Sequence, residues 1–442
     1  MLVNIHKLKL GLFLAFAFAA QLPVQGQVMS LSQCIDTAMV HNRSLQIGRN
    51  NIALSEQRNK ETKASLIPKV MVAADYKYFI DLPYQLMPMS AFGGPEGKFK
   101  ETQFGVPHNI GASIQVAMPL YNPQLNGAIQ TTAIASELAE LQYQKSEEQL
   151  FFEISTLYYN AQILHHQLGF IANNLDNINR LAGNMKLMKD QMMAKGTDVS
   201  KVELQMAQLG IQQEQIFSKY DQVMNTLKFA MGIPLYHDIQ IETDISYQRS
   251  IEYSNSAITD IQLVNMQNRL LNSELKTLSN SRLPSVSLYG TYGQTGFGYD
   301  QSPNDFLKFF PSSFAAIQVS YPLFNGTVTQ RKINQKRIEI QNSQLQLSMV
   351  TDQNSLLIEN ARRQRIIAQR TVENTVAQIK LAQSVYDQTV LQQQNGTATL
   401  SDILLSDNVL REAQQTNTSA IIDYLKADLE LKKLTGNISN RN

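Results

Sequence analysis

Two hydrophobic periods alternate along this chain. Between Asn109 and Met118, the residues Ile110, Ala112, Ile114, Val116 and Met118 recur every second position, with Asn109, Gly111, Ser113 and Gln115 between them. Period two predicts a strand with one apolar and one polar face. Ile317, Val319 and Tyr321 against Gln318 and Ser320 repeat the same phase. Val70, Val72, Tyr76 and Tyr78 stand against Asp75, Lys77 and Asp81, and Val286, Leu288 and Tyr292 against Ser287, Thr291 and Thr295. Strands of about ten residues that are apolar outside and polar inside suit a transmembrane barrel with a wet lumen. The alternation alone fits a soluble sandwich as well.

Elsewhere the period is that of a heptad seam. Leu150, Ile154, Leu157, Ala161, Leu164, Leu168, Ile171, Leu175, Ile178, Ala182 and Met185 alternate steps of four and three. Val199, Val202, Met206, Leu209, Ile216, Tyr220, Val223, Leu227 and Ala230 continue it, with Gln213 as the only break. Both runs predict helices packed as antiparallel coiled coils, whose Met and Leu residues serve packing. No proline interrupts 124–194 or 327–394. A continuous helix over the first of these reaches roughly 100 Å.

The chain is a duplication. Leu66-Ile67-Pro68-Lys69-Val70 returns as Arg282-Leu283-Pro284-Ser285-Val286, and Ile114 to Asn122 returns as Ile317 to Asn325. Gly196-Thr197 matches Gly396-Thr397, and Gly232 matches Gly436. Each copy reads as helix, strand, strand, long helix, turn, helix, so the fold class is mainly α with a β portion of four strands per chain. The first repeat is expected over 27–232, with strands near 69–82 and 108–119 and a hairpin tip at 195–200. The second is expected over 257–436, with strands near 284–296 and 313–323 and a tip at 394–401. A connector with alternating Ile239, Ile241 and Ile245 fills 233–256, and 437–442 form a short tail. Pro68, Pro119, Pro284 and Pro322 mark the helix-strand junctions, because proline lacks a donor and pushes its predecessor out of the helical region. Loops rich in Pro and Gly, 82–107 and 297–311, join the strands of each pair. At the tips, Lys195-Gly196-Thr197-Asp198 and Asn395-Gly396-Thr397, glycine is expected to supply a left-handed C-cap, and Thr or Asp to cap the next helix.

Composition narrows the setting. A formal net charge of +1 offers no global attraction to nucleic acid, and only 17% of residues are charged. His6, Lys7 and Lys9 precede an apolar run from Leu10 to Ala20 and the small residues Val24 and Gly26, which together read as a signal peptide over 1–26 with Gln27 as first mature residue. Cys34 is the only cysteine and is expected as a buried helix residue. After residue 26 no apolar run approaches the roughly 18 residues of a spanning helix, so any membrane crossing uses strands.

Four strands cannot close a barrel, and open edges in lipid leave amides unpaired, so more than one chain must contribute. The duplicated plan, the proline-bounded strands and the two Gly-Thr tips resemble the TolC outer-membrane efflux family over essentially the whole mature chain. That resemblance implies a homotrimer with a transmembrane β-barrel in outer-membrane lipid and a periplasmic α-barrel of long helical hairpins. It also implies docking to an inner-membrane pump through a periplasmic adaptor, in efflux or type I secretion. The expected adaptor contacts are then Lys195, Gly196, Thr197, Asn395, Gly396 and Thr397. The family's acidic pore ring has one counterpart here, Asp402, whereas the matching position after Gly196 is Val202. The family's basic latch position is Ala398. Asp198 and Lys201 are further candidates for the constriction. Asp402 also reads as an ordinary acid at a helix start, and Asp198 as a plain N-cap.

No catalytic constellation, metal site or cofactor site is expected. His165-His166 lack an HExxH context, and Arg362, Arg363 and Arg365 read as a solvated basic face. The rival function is a periplasmic coiled-coil scaffold without a pore, which explains the heptads and leaves the alternating strands without a purpose.

Overall fold

The computed structural model describes residues 27–192, 195–245, 252–254, 258–303, 305–395 and 397–438. The expected leader, Gly396 and the last residues of the tail lie outside them. The chain divides into two compact units, one holding residues up to 50, 141–262 and 349–442, the other 51–140 and 263–348.

In the first unit, β1 (Gln27–Met29) pairs in parallel with β6 (Ile239–Ile241), so the expected connector contributes a strand to this unit. Helix α1 (Leu31–His41) opens with a capping box between Ser30 and Gln33. Helix α2 spans Arg43–Ala64, α3 Pro123–Asp190 and α4 Gly196–Met231. The core gathers Cys34, Ile35 and Ala38 of α1 with Ile154, Tyr158, Leu227, Met231, Ile239 and Ile241. Burial pushes the Cys34 thiol up to about 12, with the Glu242 carboxylate adding to the effect, so it stays protonated and unreactive. Every seam position named on α3 and α4 is buried or half-buried, and so is Gln213.

Helix α4 ends on Gly232 at φ 74, and Gly436 near the chain end has the same φ of 74, so this mark of the duplication is a shared backbone device. A Cβ at Gly232 would stand 2.3 Å from the His41 carbonyl oxygen. Strain in the left-handed region plus this clash should make Gly232→Ala destabilising by at least about 2 kcal/mol. Thermal unfolding of the purified variant reads this directly, and an unchanged midpoint would refute it.

The second unit is built on a four-stranded antiparallel sheet in the order β2 (Lys69–Tyr78), β5 (His108–Tyr121), β7 (Ser285–Tyr299), β8 (Phe306–Ser320). Three expectations are corrected here. The loop placed at 297–311 shrinks to the residues between Tyr299 and Phe306, and Pro311 lies inside β8 opposite Gln294. Among the described residues β7 is the only partner of β8, so the missing donor can face away from β7 at the loss of at most one ladder bond. Pro119 does not end its strand. It sits at a register shift beside Tyr121, and α3 begins at Pro123 with the Asn122 side chain accepting from the Leu125 N–H at 3.0 Å. The loop 82–107 is not irregular throughout, since β3 (Tyr84–Pro88) and β4 (Phe99–Gln103) form a hairpin within it.

Helices flank one another in this unit in the same order as the strands they adjoin. Asn59 of α2 donates to Ile129 O at 3.0 Å and Thr132 Oγ1 at 2.9 Å on α3. Thr131 of α3 meets Ser273 of α5 (Thr259–Asn280) at 2.8 Å, and Glu274 of α5 pairs with Lys336 of α6 (Val328–Gln394) at 2.8 Å. The row α2, α3, α5, α6 is open at both ends, where Leu54 on α2 and Ile338 and Leu345 on α6 are 49%, 56% and 70% exposed.

Candidate functional site

The sheet has two chemically distinct faces, and its register keeps them aligned across all four strands. One row carries Val72, Ile114, Tyr292 and Ser313, and the next on the same face Val70, Val116, Gly290 and Ala315. Tyr76, Tyr78, Leu307 and Phe309 lie toward one end of this face, and Tyr121 toward the other. It holds no Asp, Glu, Lys or Arg. The opposite face carries Lys69, Asp75, Lys77 and Lys308 beside Asn109, Ser113, Gln115, Thr291 and Gln318. Asp75 and Lys77 pair at 3.5 Å. Among the described residues, strands β2 and β8 have no partner on their outer sides.

On the charge-bearing face β7 and β8 also present aromatic pairs that the sequence reading missed. Tyr299 stacks on Phe306 with centroids 6.3 Å apart, Phe297 meets Phe310 at 6.0 Å and Tyr289 meets Phe314 at 5.7 Å. Their signal lay in the register. With β8 placed at 313–323, Phe306 and Phe310 fell in a loop and no face was assigned to them.

The tips differ from each other. At the first, Gly196 is not a left-handed cap but the first residue of α4, and Met192 takes the positive φ of 59 instead. Lys195 is the N-cap and makes no side-chain cap bond. Asp198 is therefore not the N-cap either. It lies in the first helical turn, 3.9 Å from Lys201, where a carboxylate complements the helix dipole. Lys186 and Glu203 bridge α3 to α4 at 3.0 Å.

At the second tip Asn395 and Thr397 are exposed, and Thr397 donates its hydroxyl back to Gln392 O at 2.9 Å. The cap of α7 (Leu400–Leu434) is Thr399, two residues beyond the expected Thr397. Thr399 donates its N–H to Asp402 Oδ2 at 2.8 Å and its hydroxyl at 2.7 Å, while the Asp402 N–H donates to Thr399 Oγ1 at 3.3 Å. These donors, the Thr399 hydroxyl foremost, hold the exposed Asp402 carboxyl below the usual carboxylate range. Lys195, Asp198, Lys201 and Asp402 together balance two positive charges against two negative.

In the basic run 362–365, Arg362 and Arg363 lie on a solvated face as expected, and Arg365 does not. Arg362 and Arg363 both reach Glu359, at 3.7 and 3.3 Å. Arg365 is 12% exposed and pairs with Asp428 at 3.1 Å, while the Tyr253 hydroxyl donates to the other oxygen of Asp428 at 2.7 Å. Asp407 on α7 accepts from Asn177 at 2.9 Å and from Arg411 at 2.7 Å. His165 and His166 border an open recess of about 360 Å³ with Arg411 and Thr243. Burial, followed by the neighbouring His166, lowers the pKa of His165, and His166 contacts Thr243 O at 2.8 Å. Among the described residues no group of His, Cys, Asp or Glu is placed to hold a metal ion, and no helix is long and apolar enough to cross a membrane.

Solved structures of several outer-membrane channels have a similar fold. The chain is similar to the outer membrane protein VceC from Vibrio cholerae, with a TM-score of 0.71 at 15% identity over 92% of this chain and 96% of that one. It is similar to the CmeC outer membrane channel of Campylobacter jejuni, with a TM-score of 0.74 at 12% identity over 92% and 85%. For the open state of the Neisseria gonorrhoeae MtrE outer membrane channel the values are 0.70, 14%, 92% and 88%. No protein-family model matches the sequence, and no curated protein matches it by sequence. The likeness is therefore one of fold.

Proposed function

We propose that this chain is one subunit of a homotrimeric outer-membrane channel that passively conducts substrates to the cell exterior from an inner-membrane pump and a periplasmic adaptor, in efflux or type I secretion. The observation that carries this reading is the sheet, with one uncharged apolar face, one charge-bearing face and two unpaired edges. In lipid such edges leave amides unsatisfied, and closure is the remedy. Strands β8 and β2 are antiparallel in sense, so each copy's β8 can pair with the next copy's β2. Three copies of four strands give twelve, an even number as bacterial barrels have. The helix row α2, α3, α5, α6 is open at the same two ends, so one neighbour completes both layers. A pore-free coiled-coil scaffold would need neither the uncharged face nor the matched open ends.

Native mass measurement of protein extracted from outer membranes should give three copies, and planar bilayers should show steady conductance. A stable monomer, or protein found only in the soluble periplasm, would sink the reading.

Lys195, Gly196, Thr197, Asn395, Gly396 and Thr397 are proposed as the adaptor contact, and the region of Asp198, Lys201 and Asp402 as the constriction. Asp402 is engaged as a cap and the local charges balance, so the constriction in this reading rests on helix geometry rather than on a free carboxylate ring. Asp402→Asn should then leave small-ion selectivity and multivalent block unchanged. A clear fall in cation selectivity would show instead that the carboxylate lines the axis.

A further inference from the structure

The charge-bearing face should be polar throughout if it only lines a wet lumen, and on β2 and β5 it nearly is. On β7 and β8 it is not. Phe297, Phe306, Phe310 and Phe314 are 36%, 39%, 52% and 51% exposed, and each belongs to one of the aromatic pairs with Tyr289, Phe297 or Tyr299. From Tyr289 to Tyr299 the strand rises roughly 33 Å, so the pairs run along the strands as a lane rather than forming a single pocket. Exposed aromatics on the apolar face would be explained by lipid. These point the other way, in the same rows as lysines and amides: Lys77, Asn109, Phe297 and Lys308 form one row.

Charge selects the occupant. Asp75 is matched by Lys77, which among the described residues leaves Lys69 and Lys308 as the uncompensated charges of this face. Among the described residues Lys308 has no carboxylate partner, and its Nζ lies 5.9 Å from the centroid of the Phe306 ring. A flat apolar body can stack on the rings while an attached anionic group meets Lys308. We infer that β7 and β8 form an exit lane for organic anions with a flat apolar body, an inference that rests on the channel reading above. Separate ring pairs suit transit, because a molecule held by one can pass to the next without a single deep site. The balanced charges at the tips do not oppose such a cargo.

The test uses the purified channel in planar bilayers with naphthalene-1,5-disulfonate added on the exterior side. The aromatic anion should interrupt the current, while ethane-1,2-disulfonate, of equal charge and without a ring, should not. Phe297→Leu and Phe310→Leu keep apolar bulk and should shorten the interruptions by roughly two- to tenfold each. Lys308→Gln should weaken them for the disulfonate and spare those caused by the aromatic cation 1-methylquinolinium. Equal interruption by both disulfonates, or unchanged dwell times in both leucine variants, would overturn the lane while leaving the channel reading intact. A protein that forms no conducting trimer would overturn both.

Discussion

Ile114→Arg is expected to abolish recovery of the trimer from the outer membrane, whereas Gln115→Arg, one residue on, should assemble like the unaltered chain. Ile114 lies midway along β5 between Val72 and Tyr292, on the face without charge. Arginine near the bilayer midplane on the lipid side of a barrel costs about 2–4 kcal/mol, and a homotrimer incurs it once per subunit, about 6–12 kcal/mol in all. That range is comparable to the whole stability of many proteins. Gln115 lies between Met71 and Thr291 on the opposite face, where a cation meets water. Heat-modifiable trimer on gels of outer-membrane fractions measures both variants. Equal loss would mean that the strand itself was damaged, and equal tolerance that the apolar face does not meet lipid.

The faces and the seams were legible in the sequence because both depend on the spacing of apolar side chains alone. Ile110 to Met118 and Leu150 to Met185 could be assigned without knowing any partner. What failed depended on which backbone groups were satisfied elsewhere. Pro119 looked like a strand end because a proline removes a donor, yet a register shift leaves that donor unneeded, and the loop that was expected to reach Pro311 is largely strand. Gly196 looked like a left-handed cap because glycine usually takes that role, but here Met192 turns the chain first and Gly196 is already helical. At the second tip, Thr397 and Thr399 are both plausible caps by composition. Only the spacing of Thr399 to Asp402 supplies the reciprocal acceptor. The two turns between the long helices were legible as positions, and their caps less so. The aromatic pairs on β7 and β8 needed cross-strand register, which period two cannot give. The burial of Arg365 needed knowledge of Asp428, distant in sequence.

That distant partner gives the second large effect. Asp428→Ala should destabilise the first unit by about 3–5 kcal/mol, because Arg365 would stay buried without its counter-charge. The pair is 12% and 14% exposed at its two side chains, so water cannot replace the lost carboxylate as it would at the surface. The same carboxylate accepts from the Tyr253 hydroxyl, and the Arg365 guanidinium lies 5.6 Å from the Tyr253 ring centroid, so the deletion also loosens the connector segment that carries Tyr253. Replacing both charges by apolar residues of similar size, as in Arg365→Met with Asp428→Leu, removes the desolvation cost together with the attraction and should recover most of the loss. Thermal unfolding of the purified protein in detergent, with the single and double variants compared, separates the two contributions. If the double variant is as unstable as Asp428→Ala, the cluster acts through the tyrosine contact rather than through charge, and Tyr253→Phe, which deletes only that hydroxyl, should then reproduce the greater part of the destabilisation.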